Sequence, residues 1–428
     1  MKPVRLISLL LALQILWCPV SALEISPPGM VEAETAPTSL GLDATQALLP
    51  EEALDLDGEA LMLYELTTGT LVYGKGLDDL REPASVTKLM TCLLALKYGA
   101  LEDQVPVTAS ALSGMTAASS SAGLQAGETY TLEQLLYCLM VQSANDAALV
   151  IAEYIGGSQE AFAEMMNAEA RALGCTGSHF TNPHGLHDED HYTTARDLAK
   201  ILMADLEYGF FHTLYSTTSY VLPATGDREE RTLRTTNYLL DTAVNDQYYD
   251  ARVLGGKTGF TTPAGRCVVL TAASGDLIYL AVVLGASGYD AAGQEIYGSF
   301  TTASELLDAG FGWFGVQTVA AAEEAIPVRV KNGGNSSLIP MEPISALLPL
   351  SYDSADLRTI PPEVQAPLYA GADAGTLQIT YRGALVAAGA VCASEDVAYQ
   401  KASGDAKRSR PSLPPEIHLP WNRWLSAA

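Results

Sequence analysis

The chain has 428 residues, of which 50 are Asp or Glu and 24 are Lys or Arg, and its formal net charge is −26. Hydrophobic residues make up 48% of the chain and charged residues 17%, which excludes wholesale disorder and collagen-like or coiled-coil structures. The length predicts two domains, since a domain usually has about 100–200 residues. The acidity argues against a nucleic-acid partner, because phosphate binding requires concentrated positive charge.

The first residues have the pattern of a secretion signal. Lys2 and Arg5 precede an apolar run from Leu6 to Trp17, and Val20-Ser21-Ala22 offers a small-residue cleavage site. The apolar run has about a dozen residues, whereas a membrane-spanning helix needs about 20. We therefore expect residues 1–22 to be a cleaved signal peptide and the protein to work outside the cytoplasm.

The cysteines do not indicate a disulfide framework. Beyond the signal the chain contains Cys92, Cys138, Cys175, Cys267 and Cys392, an odd number without a Cys-x-x-Cys pair. In a chain of this length, such scattered cysteines in apolar stretches are expected to be buried thiols that pack as small hydrophobic side chains.

Residues 23–55, rich in Pro, Thr, Ala and acidic residues, have no sustained periodicity and are interpreted as a flexible leader. The stretch 59–75 predicts a β-hairpin around Thr67-Thr68-Gly69. Apolar spacing then predicts several helices. They are Ser85–Tyr98, Thr131–Met140, Asp146–Tyr154 and Gln159–Leu173.

The pattern returns to strands after Gly255-Gly256. Cys267–Thr271 and Leu277–Leu284 are predicted strands around a Ser274-Gly275-Asp276 turn, and Phe300–Phe314 is a predicted closing helix. The first domain, residues 56–316, is therefore predicted to be α/β (α+β), an antiparallel sheet flanked by helices with a helical cluster inserted between its first and later strands.

The remainder has a different character. Residues 317–397 contain short strand-like runs separated by Gly and Pro, which predicts a small all-β domain. Residues 398–428 form a basic tail that contains prolines, Trp421 and Trp424. Because those prolines interrupt any long amphipathic helix, we expect at most weak, salt-sensitive membrane contact from this tail.

One pair of residues suggests nucleophilic catalysis. Lys88 follows Ser85 by three positions, so the two side chains share a face if they begin a helix. A buried lysine can lose its proton near neutral pH and could then take the hydroxyl proton of Ser85. By itself, the same pattern also fits an N-cap serine beside a surface lysine.

Two further motifs strengthen the catalytic interpretation. Ser143 and Asn145 lie in a predicted helix break, where a polar loop can present both side chains to a cleft. Lys257 and Thr258, placed just before a predicted strand, could bind a carboxylate, and Gly259 would let a substrate backbone approach closely. The three motifs in this order are a far more specific indication of a catalytic site than any one of them alone.

Together these motifs resemble those of penicillin-binding proteins and serine β-lactamases. The likeness to low-molecular-mass D-alanyl-D-alanine carboxypeptidases is closer and extends from about 55 to 395, including the small β domain. It is carried by the segments Pro83–Thr91, Ser143–Ala147, Asn182–Leu186 and Gly256–Thr261.

The resemblance implies a penicillin-binding/β-lactamase-like transpeptidase fold and a role for each matching residue. Ser85 would be the acylated nucleophile, Lys88 its base and Ser143 a proton relay to the leaving amine. Asn145 would bind the substrate's peptide amide, and Lys257 and Thr258 would hold its terminal carboxylate.

In the same resemblance, the backbone N–H groups of Ser85 and Phe260 would form the oxyanion hole. The implied substrates are peptidoglycan stem peptides ending in D-Ala-D-Ala, the implied covalent inhibitors are β-lactams, and no cofactor or metal is expected. One departure concerns Tyr238, because many relatives have a basic residue after the preceding Thr-Asn. Arg234, Arg252 and Arg266 are candidate substitutes.

Three alternatives remain open. A class A β-lactamase would carry Glu-x-x-Leu-Asn, which is absent between 145 and 257, and would lack the extra β domain. A metallopeptidase could use His179, His184, His187 and His191, although they lie in a predicted loop without a His-Glu-x-x-His helix. For His184 we favour a structural role. A catalytically idle envelope or sporulation scaffold is disfavoured by three intact motifs.

Overall fold

A computed structural model describes residues 41–116, 119–226, 228–243 and 245–400. The helices are α1 (Lys88–Tyr98), α2 (Leu132–Met140), α3 (Asn145–Gly156), α4 (Gln159–Ala172), α5 (Ala195–Asp205), α6 (Gly209–Ser216) and α7 (Gly298–Trp313). The first strands are β1 (Ala60–Glu65), β2 (Thr70–Lys75), β3 (Gln104–Pro106), β4 (Thr129–Thr131), β5 (Ser219–Leu222), β6 (Arg231–Arg234), β7 (Val253–Thr261), β8 (Gly265–Ser274) and β9 (Leu277–Ala286). The later strands are β10 (Phe314–Ala320), β11 (Ile326–Val330), β12 (Gly334–Pro340), β13 (Ile344–Pro349), β14 (Leu357–Ile360), β15 (Asp373–Tyr381) and β16 (Ala384–Ala393).

The main sheet is antiparallel and has the strand order β2-β1-β9-β8-β7. The predicted hairpin is confirmed, with Gly69 at φ +70° in the turn between β1 and β2. Strands β8 and β9 are also confirmed, although both are longer than predicted. Because β7 is an edge strand, one of its sides is free to face the helical cluster and a ligand.

Helices α1 to α6 lie in the chain between β2 and β7 and form the predicted inserted cluster. Seven residues of α1 beyond its first, Leu89 to Ala95, are buried, which explains why this helix has no polar face. Helix α2 begins with a capping box in which Thr131 and Gln134 satisfy each other's backbone N–H groups. This cluster and one face of the sheet share a continuous hydrophobic core.

The predicted position of the third motif is wrong in one respect. Lys257, Thr258 and Gly259 lie inside β7 rather than just before a strand. Glycine is depleted in strands, so the Gly255-Gly256 pair and Gly259 concealed this strand from propensity. Pairing with β8 overrides that local preference.

The small β domain agrees with the predicted fold class. It has a five-stranded sheet of order β11-β12-β16-β15-β14 and a separate β10–β13 pair, which enclose a core of their own. It contacts the main sheet where the Thr70 hydroxyl donates to the Val386 carbonyl oxygen at 3.3 Å.

Residues 41–55, the end of the predicted leader, pack on the folded body instead of standing apart from it. Leu42 is buried, and the backbone N–H groups of Leu48 and Leu49 donate to carbonyl oxygens of β2 at 3.0 and 2.8 Å. These leucines lack a regular spacing, so the sequence pattern did not reveal them. The predicted signal peptide and the tail from 401 onward lie outside the described residues.

Within the part of the chain that the structure describes, no helix has the length and apolarity needed to cross a membrane.

Candidate functional site

Ser85 lies in a 3₁₀ turn, Ala84–Thr87, that leads directly into α1. The turn is tightly held, because Ala84 has φ +47° and its carbonyl oxygen abuts Gly185. A Cβ on Gly185 would lie 1.8 Å from that oxygen, so no other residue fits without movement. The segment around Gly185 therefore supports the Ser85 turn from behind.

Lys88 is fully buried and has three oxygen atoms around its Nζ. The distances are 2.9 Å to Ser85 Oγ, 2.7 Å to Asn145 Oδ1 and 2.8 Å to the His184 carbonyl oxygen. The first and second motifs therefore meet at this amine. The third contact, to a backbone carbonyl, has no sequence signal.

Ser143 lies between α2 and α3 with φ +58°, which turns its side chain toward β7. There the buried Lys257 Nζ donates to Ser143 Oγ at 2.8 Å and to the Thr258 carbonyl oxygen at 2.9 Å. The structure thus forms two hydrogen-bonded groups, Lys88 with Ser85 and Asn145, and Lys257 with Ser143.

Strand β7 runs past the Ser85 turn at very short range. A Cβ on Gly259 would lie 2.9 Å from the Ser85 backbone nitrogen and 3.0 Å from the Pro83 carbonyl oxygen. The next residue, Phe260, is 42% exposed, and the half-buried Thr258 lies on the other side of the glycine. The predicted clamp residues therefore line the edge strand beside the serine.

Burial sets the protonation of the two lysines. Burial, together with the nearby Lys257, holds the pKa of Lys88 well below that of a free lysine, while Asp146 opposes the shift. Burial lowers the pKa of Lys257 to about 7. Both amines can therefore exist as neutral groups much nearer to neutral pH than an exposed lysine can.

The clustered histidines hydrogen-bond to other residues and not to one another. Burial and then Lys88 lower the pKa of His184 to about 3, and burial lowers that of His191 to about 4. His191 Nε2 lies 2.8 Å from Thr87 Oγ1, and His187 Nδ1 lies 2.9 Å from Glu82 Oε1. Over the described ranges, no group of three or more His, Cys, Asp or Glu side chains is placed to hold a metal ion.

The candidate substitutes for the missing basic residue are engaged elsewhere or turned outward. The ring of Tyr238 packs on Tyr297 and Phe300. Arg252 pairs with two acidic side chains, Arg266 pairs with Glu295, and Arg234 is exposed. The guanidinium of Arg266 is also held between two aromatic rings, 4.3 Å from the Phe260 centroid and 4.1 Å from the Tyr297 centroid.

Asp146 is a residue to which the sequence reasoning gave no role. Its buried carboxylate accepts hydrogen bonds from Ser121 Oγ at 2.5 Å, Ala122 N at 3.0 Å, Leu124 N at 2.9 Å and Ala147 N at 2.9 Å. It therefore fixes the segment 121–124 beside the second motif. Its position directly after Ser143-Ala144-Asn145 was the available signal.

Comparison with known proteins matches the profile of the D-alanyl-D-alanine carboxypeptidase family to residues 46–288. D-alanyl-D-alanine carboxypeptidase DacF of Bacillus subtilis is 31% identical over 352 residues, covering 80% of this chain and 86% of that protein. DacC of Escherichia coli is 29% identical over 367 residues, covering 81% and 85%. The crystal structure of penicillin binding protein 5 from Haemophilus influenzae has a TM-score of 0.63 and 25% identity, and covers 81% of this chain and 98% of that one. The chain therefore belongs to the serine-type D-alanyl-D-alanine carboxypeptidase family.

Proposed function

We propose that this chain removes the terminal D-alanine from peptidoglycan stem peptides through an acyl-enzyme on Ser85, and that penicillin acylates the same serine. The observation that carries the proposal is the fully buried Lys88 amine, which lies 2.9 Å from the Ser85 hydroxyl. Membership of the carboxypeptidase family supports the substrate class, and the intact motifs argue against an idle scaffold.

Lys88 has the surroundings of a general base. A neutral amine has two hydrogens and one lone pair, and the two hydrogens can go to Asn145 Oδ1 and the His184 carbonyl oxygen. The lone pair is then directed at the Ser85 hydroxyl and can accept its proton during attack. The depressed pKa of Lys88 supplies that neutral form.

Attack forms a bond between Ser85 Oγ and the carbonyl carbon of the penultimate D-alanine. The negative charge that develops on the carbonyl oxygen is stabilised by the backbone N–H groups of Ser85 and Phe260. Breaking the peptide C–N bond releases the terminal D-alanine, whose amine takes a proton through Ser143 with Lys257 beside it. Water then hydrolyses the ester and restores the serine.

The other side chains hold the substrate. The Asn145 amide has its Oδ1 occupied by Lys88, which leaves its N–H₂ group to donate to the peptide carbonyl of the substrate. Lys257 and Thr258 lie on the edge strand, where they can bind the terminal carboxylate while Gly259 admits the peptide backbone. A free carboxylate at the substrate's end is thus a requirement of the site.

Mass spectrometry of the protein with benzylpenicillin, and with a peptide ending in D-Ala-D-Ala, tests this function. We expect a long-lived penicillin adduct on Ser85 and release of D-alanine, both lost in Ser85→Ala and both resistant to EDTA. Rapid destruction of penicillin without an adduct would indicate a β-lactamase. Absence of any adduct would indicate a scaffold, and labelling that persists in Ser85→Ala would overturn the assignment.

We also propose that the enzyme acts at the cell wall, outside the cytoplasm, after cleavage behind Ala22, which the basic and apolar pattern of residues 1–17 supports. N-terminal sequencing should then show that the mature protein begins at Leu23. Any membrane association should be removed by a high-salt wash, since it would depend on the basic tail. Protein that remains with membranes after the wash would contradict this proposal.

A further inference from the structure

The hydroxyl groups of Thr236 and Thr258 lie 2.6 Å apart at the edge of β7. Both side chains are half-buried, so the pair is accessible to a ligand while remaining ordered. Among the residues that the structure describes, neither hydroxyl has another hydrogen-bond partner. The carbonyl oxygen of Thr258 already accepts from Lys257 Nζ at 2.9 Å.

Each of these hydroxyls has one hydrogen, so only one of the two can donate in their shared bond. If Thr258 donates to Thr236, the Thr258 hydroxyl has no hydrogen left for a ligand. Its oxygen then presents only lone pairs, which repel a carboxylate. If Thr236 donates instead, the Thr258 O–H is free to donate to a carboxylate oxygen. A donor to Thr258 Oγ1 also polarises its O–H and strengthens the outgoing bond.

The segment that carries Thr236 is fitted closely to β7. Asn237 is buried, its backbone N–H donates to Thr235 Oγ1 at 3.1 Å, and its Oδ1 accepts from Leu239 N at 3.1 Å. A Cβ on Gly256 would lie 2.5 Å from Asn237 Nδ2, so the two segments are in direct contact. This contact fixes Thr236 opposite Thr258.

We propose that Thr236 is a positioning residue that donates its hydroxyl hydrogen to Thr258 and so directs the Thr258 hydroxyl toward the terminal carboxylate of the substrate. The inference rests on the proposed function, because it requires Thr258 to bind that carboxylate. It also gives the Thr236-Asn237 segment a part in carboxylate recognition although Tyr238, the residue after it, packs against other aromatic rings.

The test compares Thr236→Val with Thr236→Ser on two peptides that differ only in ending as D-Ala-D-Ala acid or as its amide. Valine keeps the shape but removes the donor, so we expect KM for the acid to rise about five- to tenfold with kcat within about twofold. The constants for the amide should stay within about twofold, so acid-over-amide selectivity falls by the same factor. Thr236→Ser should resemble the wild type on both peptides.

An unchanged KM for the acid in Thr236→Val, or equal losses on acid and amide, would overturn the inference. So would a Thr236→Ser variant that loses as much as Thr236→Val, since the methyl group would then matter instead of the hydroxyl. If Thr236→Val does not fold, as judged by thermal melting, Thr236→Ala is measured against Thr236→Ser with the same criteria. If the wild-type protein neither binds penicillin at Ser85 nor releases D-alanine, the proposed function is wrong, and this inference is wrong with it.

Discussion

Gly259 approaches the Ser85 turn so closely that a Cβ at this position would lie 2.9 Å from the Ser85 backbone nitrogen. Cβ atoms do not occur at that separation, so β7 can run at this distance only because the residue is glycine. The same approach brings the backbone of β7 beside the nucleophile, where the N–H groups of Ser85 and Phe260 can share one oxygen atom. The spacing of the proposed oxyanion hole would thus depend on the absence of a side chain at Gly259.

Gly259→Ala should force β7 away from the turn and lower the rate constant for acylation by penicillin by about 10²-fold, the order lost with one oxyanion donor. Overpacking should also reduce the free energy of unfolding by about 1–3 kcal/mol. Gly312→Ala is the matched control, because no atom lies near its Cβ position in α7 and alanine favours a helix. Wild-type acylation in Gly259→Ala would contradict this account.

The sequence predicted the fold class and the three motifs, because periodicity and local spacing carry that information. It did not predict that Ser85 lies in a 3₁₀ turn, or that Lys257 to Gly259 lie inside a strand, since both depend on tertiary pairing. Nor could the sequence predict that the His184 carbonyl oxygen contacts Lys88, 96 residues away. Every residue has a backbone carbonyl group, so the residue type does not indicate which one accepts.

The pH dependence of acylation should report Lys88. Because its base form is the neutral amine, the rate should rise with pH through the pKa of Lys88, and burial places that rise well below the pH at which a free lysine titrates, about 10.4. Lys88→Arg should not be acylated at any pH, since guanidinium stays protonated. Stopped-flow acylation by a chromogenic β-lactam between pH 5 and 10 measures both.

Lys97→Arg is the control for Lys88→Arg, because Lys97 lies on the same helix but pairs with Glu169 at 2.7 Å. It should keep the wild-type profile. A rise centred near pH 10 in the wild type, or an acylated Lys88→Arg, would rule out a neutral lysine as the base.

Lys257 should make stability depend on pH. Folding lowers its pKa to about 7, whereas the unfolded chain keeps the proton up to about pH 10.4. Between these values the unfolded state binds more protons, so the free energy of unfolding should rise with pH by up to about 1.4 kcal/mol per unit from this residue. Below pH 7 both states are protonated and the contribution is constant.

Urea unfolding of the wild type and Lys257→Met at pH 7, 8 and 9 measures this difference. The wild type should gain stability relative to Lys257→Met as pH rises, while Lys331→Met, which removes an exposed lysine, serves as the control. Parallel pH dependences in the wild type and Lys257→Met would show that Lys257 keeps its proton in the folded protein.

Asp146→Asn tests the carboxylate that holds the segment 121–124 beside the second motif. Asparagine would turn an N–H₂ group toward backbone N–H donors that now reach a carboxylate oxygen, and leaving one buried donor unsatisfied costs about 1–3 kcal/mol. The charge lost would also lower the pKa of Lys88 further, because Asp146 is the group that raises it.

We therefore expect Asp146→Asn to unfold at lower urea concentration and to shift the rise in its acylation profile to lower pH than the wild type. The midpoint of the pH profile separates the electrostatic effect from a loosening of the segment 121–124. Loosening alone would reduce the acylation rate without moving that midpoint. Asp276→Asn, in the exposed turn between β8 and β9, should change neither quantity. A wild-type midpoint in a destabilised Asp146→Asn would leave Asp146 with a structural role alone, and the pKa of Lys88 would then be set by burial and Lys257.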